Sequence, residues 1–199
     1  MNDAESSTLF TYWDKLRAGR PAPDRTDVDP RDIAPILGDT FILEGDGDGS
    51  LPYRLAGSRI CALFGREMKG AGFLDLFRDH DRPTAIRGLR DALGANAGLF
   101  MALTGTSTAG RSMALEMTVL PLSHRGRIGA RMLGCLIARE TPYWVGRDPV
   151  HVIAVDSVRL LWPSWSAADV IAPESTVQPG SRPFASRPAL RLIQGGNVT

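Results

Sequence analysis

Residues 112–139 read SMALEMTVLPLSHRGRIGARMLGCLIAR, and the fold turns on how the two halves of this stretch differ. In the first half Met113, Leu115, Met117 and Val119 alternate with Ser112, Ala114, Glu116 and Thr118. That is the period-two pattern of a strand with one buried face. In this phase Glu116 points away from the apolar face, so it faces outward and not into a pocket. Residues 121–126 form a turn. The second half, Ile128–Arg139, is apolar on both faces over Met132–Ala138. Such a strand belongs in the middle of a sheet with both sides covered. Core helices supply one cover. The other must be an N-terminal helix or a second subunit.

Working outward, Leu99–Thr106 is the preceding strand. Before it, Asp81 opens a helix to about Leu93 that presents Ile86, Leu89 and Leu93 on one face. Thr40–Glu44 and Pro52–Ala56 flank Gly45–Ser50 (GDGDGS), which reads as a hairpin turn. A phosphate loop would need Gly-Lys-Ser/Thr before a helix, and a calcium loop starting at Asp46 would need Glu where Gly57 stands. Ser58–Phe64 is a short helix stopped by Gly65, and Phe73–Phe77 is an apolar turn. Pro21, Pro23, Pro30 and Pro35 punctuate an extended connector, in which Asp29-Pro30 suits a helix start. Val150–Leu161 is apolar and β-branched, and reads as one or two further strands with a helix as the alternative.

At the N-terminus, residues 1–8 are polar and expected to be flexible. Ser7 or Thr8 caps a helix over Leu9–Ala18 whose Leu9, Tyr12, Trp13 and Leu16 share one face. A free helix this short is marginal in water, so that face needs a surface to dock on. Residues 9–162 are expected to form one domain. Residues 163–199 form a Pro/Ser/Ala-rich linker or disordered tail with an apolar tip at Ala189–Gly196, suited to docking or to folding back as a strand.

Composition narrows the function. The 199 residues carry 23 Lys+Arg against 22 Asp+Glu, a net charge of +1, which lacks the basic surplus of a dedicated nucleic-acid binder. Two cysteines, Cys61 and Cys135, cannot build a disulfide scaffold or a four-thiolate zinc site. No apolar run approaches the ~18 residues of a spanning helix, and the first residues lack a basic, then apolar, secretory pattern. No membrane span and a cytoplasmic location are therefore expected.

The element order implies an α+β fold: a five-stranded antiparallel sheet with helices on one face and an N-terminal helix on the other. Several segments in this order, Tyr12-Trp13, Pro23-x-Arg25-x-Asp27-x-Asp29-Pro30, Ile36-Leu37-Gly38, Tyr53-Arg54-Leu55-Ala56-Gly57, Leu63-Phe64-Gly65-Arg66-Glu67, Gly70, Asp81-Arg82 and Leu120-Pro121-Leu122, resemble the PAS sensory domain family. The resemblance is strongest to a short bacterial PAS variant formerly classed as a domain of unknown function, and it spans about residues 9–162. It implies a non-enzymatic sensory module. Such a module acts by ligand- or partner-dependent association, as a homodimer or with a signalling protein, and with a small molecule as candidate ligand.

Tyr53–Arg59 is the leading candidate site. In a regular strand Tyr53 and Leu55 share a face and Arg54 points the other way, while Gly57 turns the chain into the next helix. The candidate ligand-binding residues are Tyr53, Arg54, Gly57, Phe64, Phe77, Leu115, Met117 and Cys135. Of these, Tyr53, Phe64, Phe77, Leu115, Met117 and Cys135, with Leu55 and Leu133 among others, line a cavity between sheet and helices, or simply fill a core. Tyr12, Trp13 and Leu16 are the candidate interaction residues. Cys61 occupies the region where photosensory relatives place a flavin-reactive cysteine, but lacks their Asn-Cys-Arg-Phe-Leu-Gln signature. His80, near the position of the axial histidine in haem-binding relatives, lies between Asp79 and Asp81 and reads as surface capping. Neither a cofactor nor a metal is expected. No nucleophile elbow or carboxylate pair is present to carry catalysis. A constitutive scaffold dimer with a filled core, and a small-molecule enzyme, are the alternatives.

Overall fold

The structure, a computed structural model, describes residues 3–45 and 50–163. Most of the GDGDGS cluster and the tail with its apolar tip lie outside the described residues. Helix α1 spans Asp3–Arg17. A connector with 3-10 turns at Arg25–Asp27 and Pro30–Asp39 leads into β1 (Thr40–Glu44) and β2 (Tyr53–Ala56). Helices α2 (Ser58–Phe64) and α3 (Arg82–Ala95) follow. Four long strands complete the domain: β3 (Gly98–Ser107), β4 (Ser112–His124), β5 (Arg127–Ala138) and β6 (Val150–Leu161). The strands form one sheet, ordered β2-β1-β5-β4-β3-β6, with every pairing antiparallel.

The α+β antiparallel design is as expected, with a sixth strand added. Val150–Leu161 runs unbroken along β3 apart from two register shifts. Strand β5 lies between β1 and β4, covered on both sides. The β4–β5 connection is a two-residue turn in which Arg125 and Gly126 both have positive φ, 53° and 76°. Such turns match the twist of paired strands, and glycine adopts the second position without a Cβ penalty.

Two apolar layers sandwich the sheet. The inner layer gathers the alternating residues Met113, Leu115, Met117 and Val119 of β4 with α2, α3 and the turn around Phe73–Phe77. Phe41 lies across Gly134, where a Cβ would sit 2.2 Å from its ring. The buried face of α3 is Ala85, Gly88, Leu89 and Ala92, whereas Ile86 is exposed. Small side chains let this helix sit close to β3 and β6, which the expected Ile86 stripe would not. Asp81 is the N-cap residue of α3, but its side chain makes no capping hydrogen bond; its carboxylate accepts from the Val155 amide of β6 at 3.2 Å.

The outer layer is α1 plus the connector, packed on Leu120, Leu122, Leu133, Cys135, Ile137 and Leu161. α1 begins at Asp3, six residues before the expected start. Ser6, Leu9, Phe10 and Trp13 are its buried residues, one turn earlier than the expected stripe, while Tyr12 and Leu16 are half-buried at its margin. The spacing i, i+3, i+4, i+7 is the same. Polar Ser6 fills the extra position by placing its hydroxyl 3.9 Å from the Cys135 sulfur.

Candidate functional site

The inner layer collects five of the eight expected ligand-binding residues: Tyr53, Phe64, Phe77, Leu115 and Met117. They form a packed interior. Tyr53 meets Phe41 edge-on at 5.4 Å, and Phe73 meets Phe77 edge-on at 5.2 Å, both favourable aromatic geometries. The Tyr53 hydroxyl has no hydrogen-bond partner among the described residues. Burial holds its phenol far above the ordinary tyrosine pKa.

The other three lie elsewhere. Arg54 is exposed. The β1–β2 register pairs Ile42 with Leu55 but Leu43 with Tyr53, so Arg54 is an extra, bulged residue. The bulge reverses the alternation after Tyr53. Leu55 therefore shares the outer face with Ile42 instead of the inner face with Tyr53, and is 52% exposed. Cys135 is also displaced, and Leu133 with it. Met132, Gly134 and Leu136 point inward on β5, so Leu133, Cys135 and Ile137 point outward beneath α1 and the connector. Burial pushes the Cys135 thiol up to about 12, which leaves it inert near neutrality. Gly57 lies in a groove of the outer layer. A Cβ there would come within 2.2 Å of the Gly38 carbonyl, and its own amide donates to the Thr40 carbonyl at 2.8 Å.

Glu116 is likewise on the outer face, as its phase requires, yet it is fully buried. Its Oε1 accepts from Arg139 Nε at 2.5 Å, and its Oε2 has no partner among the described residues. It is a sheet-embedded ion pair, since Arg139 follows directly on the end of β5.

Polar contacts tie α1, the connector and the sheet to one another. Trp13 is fully buried and its indole Nε1 donates to the Pro121 carbonyl at 2.7 Å. The Tyr12 hydroxyl accepts from the Asp29 amide at 2.9 Å and donates to the Asp29 carbonyl at 3.2 Å, clasping the connector to α1. Burial raises the Tyr12 pKa, aided by the charges of Asp32 and Asp29 and opposed by the backbone hydrogen bond to Asp29. Asp24 accepts from the Ser123 hydroxyl at 3.1 Å, and the Ser123 amide donates to the Pro23 carbonyl at 2.8 Å, so the connector is tied to β4.

Between the connector and the sheet edge lies the groove, about 440 Å³ in volume. Leu133, Ile42 and Leu55 form its floor as one row across β5, β1 and β2. Val28, Pro30, Ile33 and Leu37 form the opposite wall, with Arg25, Gly57 and Ser58 also lining it. Arg59 braces one end through a two-pronged ion pair with Asp39. Sequence reasoning missed this groove. Its only signal was bulky apolar residues, Val28 and Ile33, inside a proline-broken connector.

Among the described residues no three His, Cys, Asp or Glu side chains are grouped to hold a metal ion, and no helix is long and apolar enough to cross a membrane. His80 is exposed, 3.5 Å from the Asp81 carboxylate. Cys61 is half-buried with its sulfur 3.7 Å from Glu67 Oε1.

The family model described as PAS domain matches residues 1–137, more than half of the chain. No curated protein matches. Among solved structures, the chain is similar to the Rhodobacter sphaeroides LOV protein, at 16% identity and TM-score 0.44, covering 58% of this chain and 71% of that one. It is similar to the Aureochrome1 LOV domain in its light state, at 16% identity and TM-score 0.42, covering 56% and 87%. A PAS domain of an HTR-like protein from Haloarcula marismortui matches at 18% identity and TM-score 0.37, covering 50% and 79%.

Proposed function

Because the chain belongs to the PAS domain family, whose members are generally signal-sensing, we propose that it is a sensory or regulatory module that acts by protein association and not by catalysis. The observation that carries this reading is the outer layer. α1 covers an apolar sheet face, seated through Leu9, Phe10 and Trp13, with the Trp13 indole and the Tyr12 hydroxyl among its polar contacts. If α1 lifts, the row Leu120, Leu122 and Leu133 is uncovered for a second copy or a signalling partner. A ligand drives such a switch only by binding one seating of α1 better than the other. Tyr12, Trp13 and Leu16 are thus the residues through which the module signals.

The packed aromatic interior favours a second reading, a constitutive scaffold dimer with no ligand. Native mass spectrometry of the full chain, wild type and Trp13→Ala, separates the two. The sensory reading expects a mass for an accompanying small molecule, or an oligomeric state that shifts when Trp13 is removed. A dimer without passengers and unaffected by Trp13→Ala supports the scaffold. A monomer without passengers, unaffected by Trp13→Ala, refutes both.

A further inference from the structure

The groove carries a chemistry of its own. Its volume of about 440 Å³ falls within the range of small-molecule sites, and its floor and wall are aliphatic. Among the described residues one cation lines it, Arg25, half-buried. Among the described residues the Arg25 guanidinium makes no hydrogen bond or ion pair, whereas its neighbours are engaged: Arg20 with Asp27, Arg31 with Asp29 and Arg59 with Asp39. Among the described residues no carboxylate lines the groove. Of its hydroxyls, Thr40 already donates to the Leu37 carbonyl at 3.0 Å. A greasy cleft with an uncommitted guanidinium and no acidic wall complements one class of occupant, an apolar body bearing one negative charge.

We propose that this groove binds a small aliphatic carboxylate, its charge on Arg25 and its chain along Ile42, Leu55 and Leu133. The proposal deepens the reading of the outer layer as the responsive face and rests on it for its consequence. An occupant touches Val28 and Pro30, which flank Asp29, and Asp29 is the residue that Tyr12 clasps. Occupancy and the seating of α1 therefore meet at one backbone position. The sensed molecule enters from the outer layer, while the packed inner layer serves as support.

Isothermal titration of the full chain with octanoate, and with octanol as its uncharged counterpart, tests this. Octanoate is expected to bind saturably, one per chain. Arg25→Gln should weaken it about tenfold, the usual loss of a charge-assisted contact. Octanol should bind wild type no better than octanoate binds Arg25→Gln. Leu55→Glu, at the most exposed position of the groove floor, should abolish octanoate binding by placing a carboxylate at the site. Tyr53→Phe, in the inner layer, should leave it unchanged. Absence of saturable binding to wild type, equal affinity for Arg25→Gln, or a loss confined to Tyr53→Phe would overturn the proposal. Octanoate binding while Trp13→Ala leaves association unchanged retains the groove and refutes the associative reading. A Trp13-dependent change of association without octanoate binding does the reverse.

Discussion

Replacing Trp13 with alanine should unseat α1 while the inner layer stays folded. The indole is fully buried, packs against Phe10 at 5.8 Å between ring centroids, and has Arg17 5.6 Å from its centre. Truncating a buried tryptophan costs roughly 3–5 kcal/mol. About 1 kcal/mol of this reflects the Pro121 carbonyl, which loses the Nε1 donor it holds at 2.7 Å. At roughly 2–4 °C per kcal/mol for a chain of this length, melting should fall by about 12 °C. Trp13→Phe keeps a ring but loses the donor and some volume. It should cost about 2 kcal/mol, or about 6 °C. The effect should also be local. α1 has 15 residues and packs on the outer face of the sheet and on the connector, and a free helix of that length is marginal in water. Hydrogen exchange in Trp13→Ala should therefore accelerate across α1 and the connector at Asp29, while the amides of α3 and β3 retain their protection. If α1 amides remain as protected as in wild type, Trp13 is not the seat of the helix and the reasoning fails.

Gly134→Ala should destabilise the fold by about 1–3 kcal/mol, because the new methyl would lie 2.2 Å from the Phe41 ring; a chemical denaturation midpoint within error of wild type would contradict this. Tyr53→Phe should not lower stability at pH 7, since the lost hydroxyl is buried without a partner. The same substitution should blunt alkaline destabilisation. The folded Tyr53 pKa is raised above its unfolded value near 10, so stability is intact below pH 10 and falls as pH climbs past it, by about 1.4 kcal/mol per pH unit from this one group. Denaturation curves at pH 9 and pH 11 for both proteins check the sign. Arg139→Ala leaves the buried Glu116 carboxylate without its cation and should cost about 2 kcal/mol, less than a fully buried pair because Arg139 is 40% exposed; an unchanged melting temperature would show that other groups solvate Glu116.

Much of the architecture was legible because it rests on periodicity. The alternation through Met113–Val119 set β4, and the two-sided apolar run of Met132–Ala138 required a central, doubly covered strand. The tryptophan-bearing helix then had an obvious berth. Details of facing were less legible. Nothing in the residues around Arg54 marks a bulge, which depends on the β1 partner, so Leu55 was assigned to the wrong side. Cys135 was misplaced because a strand apolar on both faces gives no polar residue from which to count phase. The start of α1 was missed because Ser6, a polar residue, occupies a core position whose partner is 129 residues away. The groove draws its walls from three separated stretches, around positions 25–42, 55–58 and 133, and exists only once β1, β2 and β5 are aligned. Burial of Glu116 depended on the pairing of β4 with β5, which brings Arg139 beside it.

Leu161, the last residue of β6, is buried in the same apolar layer as Leu9, Phe10 and Trp13. The last side chain of β6 thus faces the same layer as α1. Fluorophores at the exposed Thr11 of α1 and at the exposed Trp162 just past β6 would report displacement of the helix through their energy transfer. The layout is that of a ready-made optical reporter, in which lifting one lever changes the spacing of the two labels while the platform beneath stays fixed.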